Sequence, residues 1–372
     1  MAKYLREFAT QQEYEAYING NPDLPNVSLI DEDDSVKYKQ KPDYSKEYLT
    51  FTALEDGTFS FKNRNANDIR YSLDGGETWT QLPTDTNTPT VHTGEKIMWK
   101  GNIVSSQGFV DENTFSSTGN YNVEGNVMSL LYGDNFVGQT VMTFKLSYLF
   151  SKSHSTGTII SAENLILPAT TLVSGCYTGM FNNCTSLTKA PELPATTLVK
   201  SCYSSMFYGC TSLTSSPELP ATTLAESCYQ QMFYGCTSLT SSPELPATTL
   251  AKSCYYGMFS NCTSLTTSPE LPATTMVASG YSYMFSNCTS LETAPELPAT
   301  SLINLRDAYR GMFYGCSSLN YIKMLATNTS GRDCLKDWVY GVSASGTFVK
   351  ASSATLPTGT SGIPSGWEVI NA

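Results

Sequence analysis

Large apolar side chains recur along the middle of the chain every 26 residues. A Leu-Pro-Ala-Thr run opens each unit, a Met-Phe pair follows 13 positions later, and a Cys-Thr-Ser-Leu run comes after the pair. The openings are Leu167, Leu193, Leu219, Leu245, Leu271 and Leu297, and the last unit is two residues longer before its Met-Phe pair. A unit of this size cannot bury its apolar face alone, so the period predicts a stack of repeats around one continuous core.

Within each repeat, the spacing of bulky residues predicts a short helical turn followed by a short strand. Leu172, Tyr177, Met180 and Phe181 are spaced as the inward face of a helical turn would be. The residue before each cysteine of the Cys-Thr-Ser-Leu run is Gly or Asn, which adopt a left-handed backbone most readily, so this position is predicted to end the helical segment. A strand of about three or four residues is predicted to start at Leu187 and its equivalents, because the Pro-Glu-Leu-Pro stretch that follows cannot donate a full set of hydrogen bonds.

The two ends of the array are predicted to close its core. Residues 148–150 and 165–168 resemble a degenerate first repeat. At the other end, residues 321–324 are predicted to form a terminal strand and residues 335–339 a helix, and the tail at 341–372 is expected to complete the cap.

The sequence of the first third of the chain predicts two further structural modules. A capping box at 10–13 with a stop at Gly20 indicates a helix, and residues 26–30 and 36–39 indicate a hairpin, which together give a docking module at 1–47. Residues 48–125 alternate as short strands do, which predicts a small β-sandwich-like domain. Its strands are expected at 48–54, 58–61, 69–72, 78–82 and 96–100. The array then occupies 126–340.

The repeat unit resembles a known class. Its length lies inside the window for leucine-rich repeats, and its run Phe-x-x-Cys-Thr-Ser-Leu before a proline-containing corner is similar to the BspA-like, bacterial surface antigen class over roughly residues 145–340. The resemblance implies adhesion or ligand binding at microbial surfaces, without catalytic activity. The expected fold class is α+β but β-rich: a leucine-rich-repeat solenoid preceded by a small β-sandwich and a short helix-hairpin module.

The charge and apolar content of the chain limit the classes of partner that it is expected to bind. The chain has a net charge of −11 and only 15% charged residues, and nucleic acid is not expected because phosphate binding needs a positive field. No window is long and apolar enough to span a bilayer, so membrane insertion is not expected. The N-terminus begins with Met1 and lacks an apolar stretch of signal-peptide length, which favours a protein that does not use that export route.

No residue pattern predicts catalysis. Residues 72–79 match the Asp-box pattern of sialidases and related propellers, but this motif is a hairpin turn in which Asp74 ties back the loop. The histidines, His92 and His154, lie far apart without a nucleophile pattern near them. The chain is therefore not expected to be an enzyme, and no cofactor or metal is expected.

Cysteines and glutamates repeat with the same period. The cysteines recur at an i, i+8 spacing that fits neither a zinc site nor a redox pair, and Gly280 replaces one of them. Buried free thiols are favoured, with disulfides in an oxidising compartment as the alternative. The glutamates are expected to line one edge about 4.8 Å apart, as a solvated edge rather than a calcium site. They are Glu192, Glu218, Glu244, Glu270 and Glu296.

Positions that vary among the copies are predicted to face outward and to hold the binding residues. Tyr208, Tyr234 and Tyr314 follow the repeated phenylalanine and are candidates for stacking on sugar rings. Packing of these tyrosines at the repeat corner is the alternative. The strand surface presents hydroxyl groups, and its candidates are Thr188, Thr214, Thr240 and Thr266.

Two functions fit these features. The first is a bacteriophage virion component, a tail or head fibre that binds a bacterial surface glycan or protein and contacts other virion proteins through the N-terminal module. Residues 14–20 and 25–28 resemble leaders of phage-encoded or mobile-element proteins of gut Bacteroidetes. The alternative is a bacterial cell-surface or secreted adhesin that binds host glycan or protein. The expected location is the virion, or else the cell surface or exterior, and a homo-oligomer is compatible with both.

Overall fold

The computed structural model describes residues 5–8, 27–32, 35–40, 43–63, 67–84, 86–103, 113–152 and 157–372. Within these residues the secondary structure is mostly β, with almost no helix. The strands are β1 (Leu5–Phe8), β2 (Val27–Glu32), β3 (Ser35–Gln40), β4 (Leu49–Ala53), β5 (Phe59–Asn63), β6 (Asp68–Ser72), β7 (Thr80–Gln81), β8 (Lys96–Asn102), β9 (Asn113–Ser117), β10 (Tyr121–Asn126), β11 (Asn164–Ile166), β12 (Tyr321–Met324), β13 (Thr347–Lys350) and β14 (Glu368–Asn371). The helical elements are α1 (Ser129–Tyr132) and short 3₁₀ turns at Tyr44–Lys46 and Gly133–Asn135.

The N-terminal strands form a sheet in the order β1, β3, β2. β2 and β3 pair antiparallel, with Val27 opposite Gln40 and Glu32 opposite Ser35. The sequence did not indicate β1, which pairs with β3. The helix predicted between residues 10 and 20 lies outside the described residues, and the docking module stays a prediction.

The front region contains the strands that its alternating pattern predicts, in two sheets that share a core. A six-stranded sheet has the order β11, β10, β4, β8, β6, β7, and a two-stranded sheet pairs β5 with β9. The ring of Phe51 lies 5.3 Å from that of Phe59 and 4.9 Å from that of Phe115, which joins the two sheets. Trp99 packs 4.8 Å from Phe115 in the same core. The sandwich-like domain as a unit stays a prediction.

The six-stranded sheet continues directly into the repeats. β10 pairs antiparallel with β4 on one side and parallel with β11 on the other. Gly125, opposite Leu165, has a φ of +80°, and a Cβ there would lie 2.1 Å from the carbonyl oxygen of Tyr48. Because one hydrophobic cluster extends from Leu49 to Trp367, the front region and the repeats share buried surface. The division of the chain at 47, 125 and 340 stays a prediction.

The predicted helical turn of each repeat is wrong: the structure has a chain of tight turns instead. In the second repeat, alternate amides donate back to the carbonyl three residues earlier, as Ser204 does to Ser201 and Met206 does to Tyr203. The amides between them donate to the next repeat, as Tyr203 does to Cys228. Half of the amides therefore join neighbouring repeats, whereas a helix would use every amide internally. We call this segment the turn ribbon.

The turn ribbons are the segments at 173–184, 199–210, 225–236, 251–262, 277–288, 305–316 and 331–341. The last one includes residues 335–339, so the terminal helix predicted there is also wrong. Each ribbon needs three left-handed residues spaced four apart, as at Ser201, Ser205 and Gly209, with φ of +54°, +54° and +70°. The sequence indicated only the third of these positions, because Ser, Gln, Tyr and Asp at the others conceal the requirement.

A residue with a left-handed backbone conformation in the turn ribbon points its side chain along the stack of repeats, over the equivalent residue of the next repeat. A Cβ on Gly311 would lie 2.3 Å from the ring of Tyr283, and a Cβ on Gly179 would lie 2.3 Å from the ring of Tyr148. Asn183 lies over Gly209 in the same way. Tyrosine at such a position is thus followed by glycine one repeat later, whereas Asn261 and Asn287 hydrogen-bond to each other.

Replacing Gly311 with alanine is expected to cost about 2–3 kcal/mol, from the left-handed backbone and from the contact with Tyr283. In a Tyr283→Ala background the same change should cost about 1 kcal/mol, because only the backbone term is left. Urea unfolding of the four proteins of this double-mutant cycle measures the difference. If Gly311→Ala lowered the free energy of unfolding equally in both backgrounds, the ring of Tyr283 would not be the reason for glycine at this position.

The short strand predicted after Leu187 is also wrong for most repeats. Several repeats have only isolated bridges there, such as Ser161–Lys189 and Ser241–Thr267. Two prolines in each Pro-Glu-Leu-Pro stretch prevent the ladder from extending, because proline has no amide hydrogen. After Leu319 these prolines are missing, and β12 forms where the terminal strand was predicted, in parallel with β13 and β14.

The repeat core consists of columns of identical side chains. Phe181 and Phe207 stack with centroids 5.5 Å apart, and Tyr177 and Tyr203 stack at 5.7 Å. Where Gly280 replaces the cysteine, Met276 replaces a leucine, and its methyl group lies 3.3 Å from where a Cβ of Gly280 would be. The larger methionine therefore fills the space that the missing thiol leaves.

Candidate functional site

The turn ribbon presents two rows of side chains outward. Pairs of buried residues alternate with pairs of more exposed ones along the ribbon, so Tyr203 and Phe207 face the core while Ser204 and Tyr208 face out. Because the outward pairs lie four residues apart on one side of a flat ribbon, equivalent residues form parallel rows across the stack. We call this surface the ribbon face.

One of these rows carries the three tyrosines predicted from the sequence, and a fourth. Tyr208 and Tyr234 stack with centroids 4.6 Å apart and planes 3° apart, and Tyr314 and Tyr340 stack at 4.8 Å. Burial raises the pKa of Tyr208, and the neighbouring Tyr234 raises it further. The two repeats between these pairs carry serine. We call this row, with Ser260 and Ser286 between the two pairs, the tyrosine row.

The residue that follows each member of the row changes with it. Each tyrosine is followed by glycine, whereas each of the two serines is followed by asparagine. The Asn287 amide donates to Asn261 Oδ1 at 3.0 Å, and the Asn261 amide donates to Ser260 Oγ at 3.3 Å. The gap between the tyrosine pairs therefore has a polar, hydrogen-bonded floor.

Two more tyrosines border this gap in the adjacent rows. Tyr256 and Tyr283 contact each other edge to face, with centroids 5.7 Å apart. The ring of Tyr283 lies over Gly311, and its hydroxyl group interacts with the side chain of Arg310. These two tyrosines were not among the residues predicted from the sequence to bind a ligand, although the copies differ from one another at their positions.

We call the gap between the two pairs the tyrosine slot: the buried side chains of Ser260 and Ser286 form its floor, Tyr234 and Tyr314 its ends, and Tyr256 and Tyr283 one side. Because each pair stacks along the array, one face of Tyr234 and one face of Tyr314 are turned toward the slot. Three repeat steps of about 4.8 Å place these two ends about 14 Å apart.

The ribbon face differs in charge from the rest of the repeats. The seven turn ribbons carry six cationic and four anionic side chains, whereas the segments between them carry two cationic and six anionic ones. Next to the slot, Arg310 pairs with Asp307 at 3.3 Å, and Arg306 pairs with the same carboxylate at 3.0 Å. The ribbon face is thus the cationic face of an acidic protein.

The predicted threonines lie in a different segment of the repeat from the tyrosines. Thr188, Thr214, Thr240 and Thr266 are all exposed, in the segment of isolated bridges. The hydroxyl of Thr188 donates to the carbonyl of Ile160 at 2.9 Å, and that of Thr266 donates to the carbonyl of Thr240 at 3.2 Å. These two hydroxyl groups join neighbouring repeats, and a role of the threonines in ligand binding stays a prediction.

The segments between the ribbons form two adjoining clefts of about 520 and 500 Å³. Both are lined by the Pro-Glu-Leu-Pro stretches, and both include Glu218. The five repeated glutamates are exposed, and Glu296 pairs with Lys323 at 3.0 Å. Within the described residues, no three potential metal ligands among His, Cys, Asp and Glu come together.

All eleven cysteines are unpaired and buried, as the sequence analysis favoured. The thiols of the main column donate to the phenylalanine carbonyl of the preceding repeat, as Cys236 does to Phe207 at 3.1 Å. Burial raises the pKa of Cys236 to about 12. The cysteines thus serve as small core residues that also join the repeats.

Ellman's reagent at pH 8 is expected to label none of these thiols in the native protein, because they are buried and protonated. All eleven should react after unfolding in guanidinium chloride. Fewer than eleven in the unfolded, unreduced protein would reveal disulfides, and rapid labelling of the native protein would contradict the buried placement.

The Asp-box motif forms the predicted hairpin turn. Both carboxylate oxygens of Asp74 accept from the amide of Thr78, at 2.9 and 3.1 Å, and the Trp79 indole donates to the carbonyl of Gly76. The hydroxyl of Ser72, which donates to Asp74 Oδ1 at 2.6 Å, and the hydroxyl and amide of Thr78 hold the pKa of Asp74 well below its usual range. Of the histidines, His92 pairs with Asp56 at 3.0 Å on the surface, and His154 lies outside the described residues.

Among the described residues, no helix is long and apolar enough to cross a bilayer.

Comparison with known proteins identifies the repeats. The model of the BspA type leucine-rich repeat region matches in 6 copies, over residues 147–292 and 216–336. These matches cover half of the chain. The chain belongs to the BspA-type leucine-rich repeat family. No curated protein and no solved structure matches it.

Membership of the BspA-type family confirms the class that the repeat motif resembled. Repeat proteins of this family are generally non-enzymatic, and a binding or adhesin role is consistent with the match. The matched residues contain all seven turn ribbons except residues 337–341, and so nearly all of the tyrosine row.

Proposed function

We propose that this BspA-type protein is a non-enzymatic binding protein that recognises a bacterial surface glycan through the tyrosine row. The observation that carries the proposal is that two pairs of tyrosines stack in one row, Tyr208 with Tyr234 and Tyr314 with Tyr340. Each pair turns one ring face toward the polar gap between them. Apolar faces of sugar rings pack on aromatic side chains, while their hydroxyl groups need hydrogen-bond partners nearby. The ribbon face offers both at regular spacing.

A bacteriophage tail or head fibre is the assembly that we propose for the protein. The resemblance of residues 14–20 and 25–28 to leaders of phage-encoded proteins supports this proposal. Other virion proteins would bind the N-terminal residues, and the repeats would be displayed toward the bacterial cell. A homo-oligomer would multiply weak glycan contacts by avidity.

A bacterial surface or secreted adhesin is the second candidate, favoured by the match to the BspA-type family. In that case the ligand would be a host glycan or protein. The same ribbon face would serve, because the chemistry of sugar recognition does not depend on which cell displays the sugar.

Binding of labelled full-length protein to a panel of gut bacterial strains and to host mucin tests the proposal. Selective binding to particular strains supports the phage fibre, and binding to mucin supports the adhesin. Periodate treatment of the target, which destroys vicinal diols of sugars, should abolish binding in both cases. Binding that survives periodate and is lost after protease treatment of the target would overturn glycan recognition.

A further inference from the structure

We propose that the tyrosine slot binds a glycan that carries carboxylate groups, and that Arg310 is the residue that recognises the carboxylate. This inference rests on the proposed function of glycan recognition and names the class of glycan. It follows from the shape of the slot, from the side chains that border it and from the charge of the ribbon face.

The shape of the slot fits a short run of sugar rings. Its ends are the ring faces of Tyr234 and Tyr314, about 14 Å apart by three repeat steps. Its floor carries the side chains of Ser260 and Ser286 and, beside them, the paired amides of Asn261 and Asn287. The aromatic faces at the ends match the apolar faces of pyranose rings, and the partly exposed amides of Asn261 and Asn287 can hydrogen-bond to their polar rims.

Arg310 supplies the positive charge at one corner. Its side chain is 32% exposed, so it is accessible while its position is restricted. Asp307 accepts from both Arg306 and Arg310, which leaves two guanidinium groups on one carboxylate and an excess of positive charge. A guanidinium group presents donors in a planar fork that matches a second carboxylate, which here would be that of the sugar.

The charge distribution over the repeats assigns an acidic ligand to this face rather than to the clefts. The ribbons carry a net positive charge, whereas the clefts are lined by Glu192, Glu218 and Glu244. A polyanionic chain would be repelled from the clefts and attracted to the ribbon face. Neutral glycans would gain nothing from this difference in charge.

The test measures affinity for three acidic probes, each paired with its carboxyl-reduced form, by biolayer interferometry with the full chain. The probes are the tetrasaccharide of polygalacturonate, the tetrasaccharide of hyaluronan and 3′-sialyllactose. At least one acidic form should bind roughly tenfold more tightly than its reduced form, because a hydrogen bond between two charged groups is lost on reduction.

Two variants with the same charge change locate the site. Arg310→Gln should weaken binding of the acidic form roughly tenfold or more and leave the reduced form unchanged. Arg332→Gln, on an exposed ribbon arginine of the next repeat, should weaken it by less than about twofold, as a remote charge does in salt. Urea midpoints of both variants check that the fold is kept.

The outcomes separate this inference from the proposed function. If acidic and reduced forms bind equally, or if Arg310→Gln and Arg332→Gln act alike, the inference is overturned. Glycan recognition itself survives that result provided that Tyr234→Ser still weakens binding. If none of the acidic probes binds, the inference is overturned, and if periodate also leaves cell binding intact, glycan recognition is overturned with it.

Discussion

Gly125→Ala is expected to destabilise the protein by about 4 kcal/mol or more, among the largest effects of any single methyl group here. The new Cβ would lie 2.1 Å from the carbonyl oxygen of Tyr48, and φ of +80° is itself unfavourable for alanine. Gly125 lies in β10, where the front sheet pairs with the first repeat, and the atom contacted is a backbone oxygen, so no side chain can move aside. Urea unfolding followed by tryptophan fluorescence measures the loss, because the buried Trp99 belongs to the same sheet, opposite Leu49.

Gly138→Ala is the matched control for this change. Its φ is +78°, and a Cβ there meets nothing within 4 Å. Only the backbone cost of about 1 kcal/mol should be seen. Equal shifts of the urea midpoint in the two variants would contradict the close approach at the junction.

Phe181→Asp is expected to disrupt the array, with a loss of more than about 5 kcal/mol. Phe181 is fully buried and stacks between Phe150 and Phe207, at 5.3 and 5.5 Å. The substitution removes these contacts and leaves a carboxylate without a partner in the core. Circular dichroism during thermal unfolding should show loss of the cooperative transition or a large drop in its midpoint.

Thr214→Asp introduces the same charge on an exposed residue of a neighbouring repeat. A change within about 0.5 kcal/mol is expected for an exposed position. If Phe181→Asp melted like the parent, the assignment of the buried face would be wrong.

The repeat period, the buried columns and most of the front strands could be predicted from the sequence. Residues such as Phe181 and Leu187 are invariant among the full copies because each packs on its own equivalent, so the period itself reveals the core. The strands of the front region follow from alternation, which reports one buried face directly.

The local conformation of the repeats could not be predicted in the same way. Pairs of buried residues every four positions resemble helical spacing, yet the ribbon satisfies half of its amides through the next repeat. That choice depends on contacts between repeats, which no window of a single repeat contains. Serine at left-handed positions such as Ser201 hides the turns, because glycine is the residue that normally marks them.

The tyrosine slot was only partly foreseen for a related reason. Tyr208, Tyr234 and Tyr314 share one repeat position and stand out by their period. Tyr256 and Arg310 share one repeat position and Tyr283 has the next, but the three come from different repeats, and only the stacking of ribbons brings them together.

The central claim is that the ribbon face, through its tyrosine row, makes this protein a glycan-binding protein. Its most direct test is the binding of fluorescent full-length protein to a strain that it recognises, compared with the double variant Tyr234→Ser/Tyr314→Ser. Serine occupies this row in two natural repeats, so the variant should fold. We predict at least a tenfold loss of binding, with Thr214→Ala/Thr240→Ala unaffected. Undiminished binding by the tyrosine variant, or an equal loss in the threonine variant, would contradict the account.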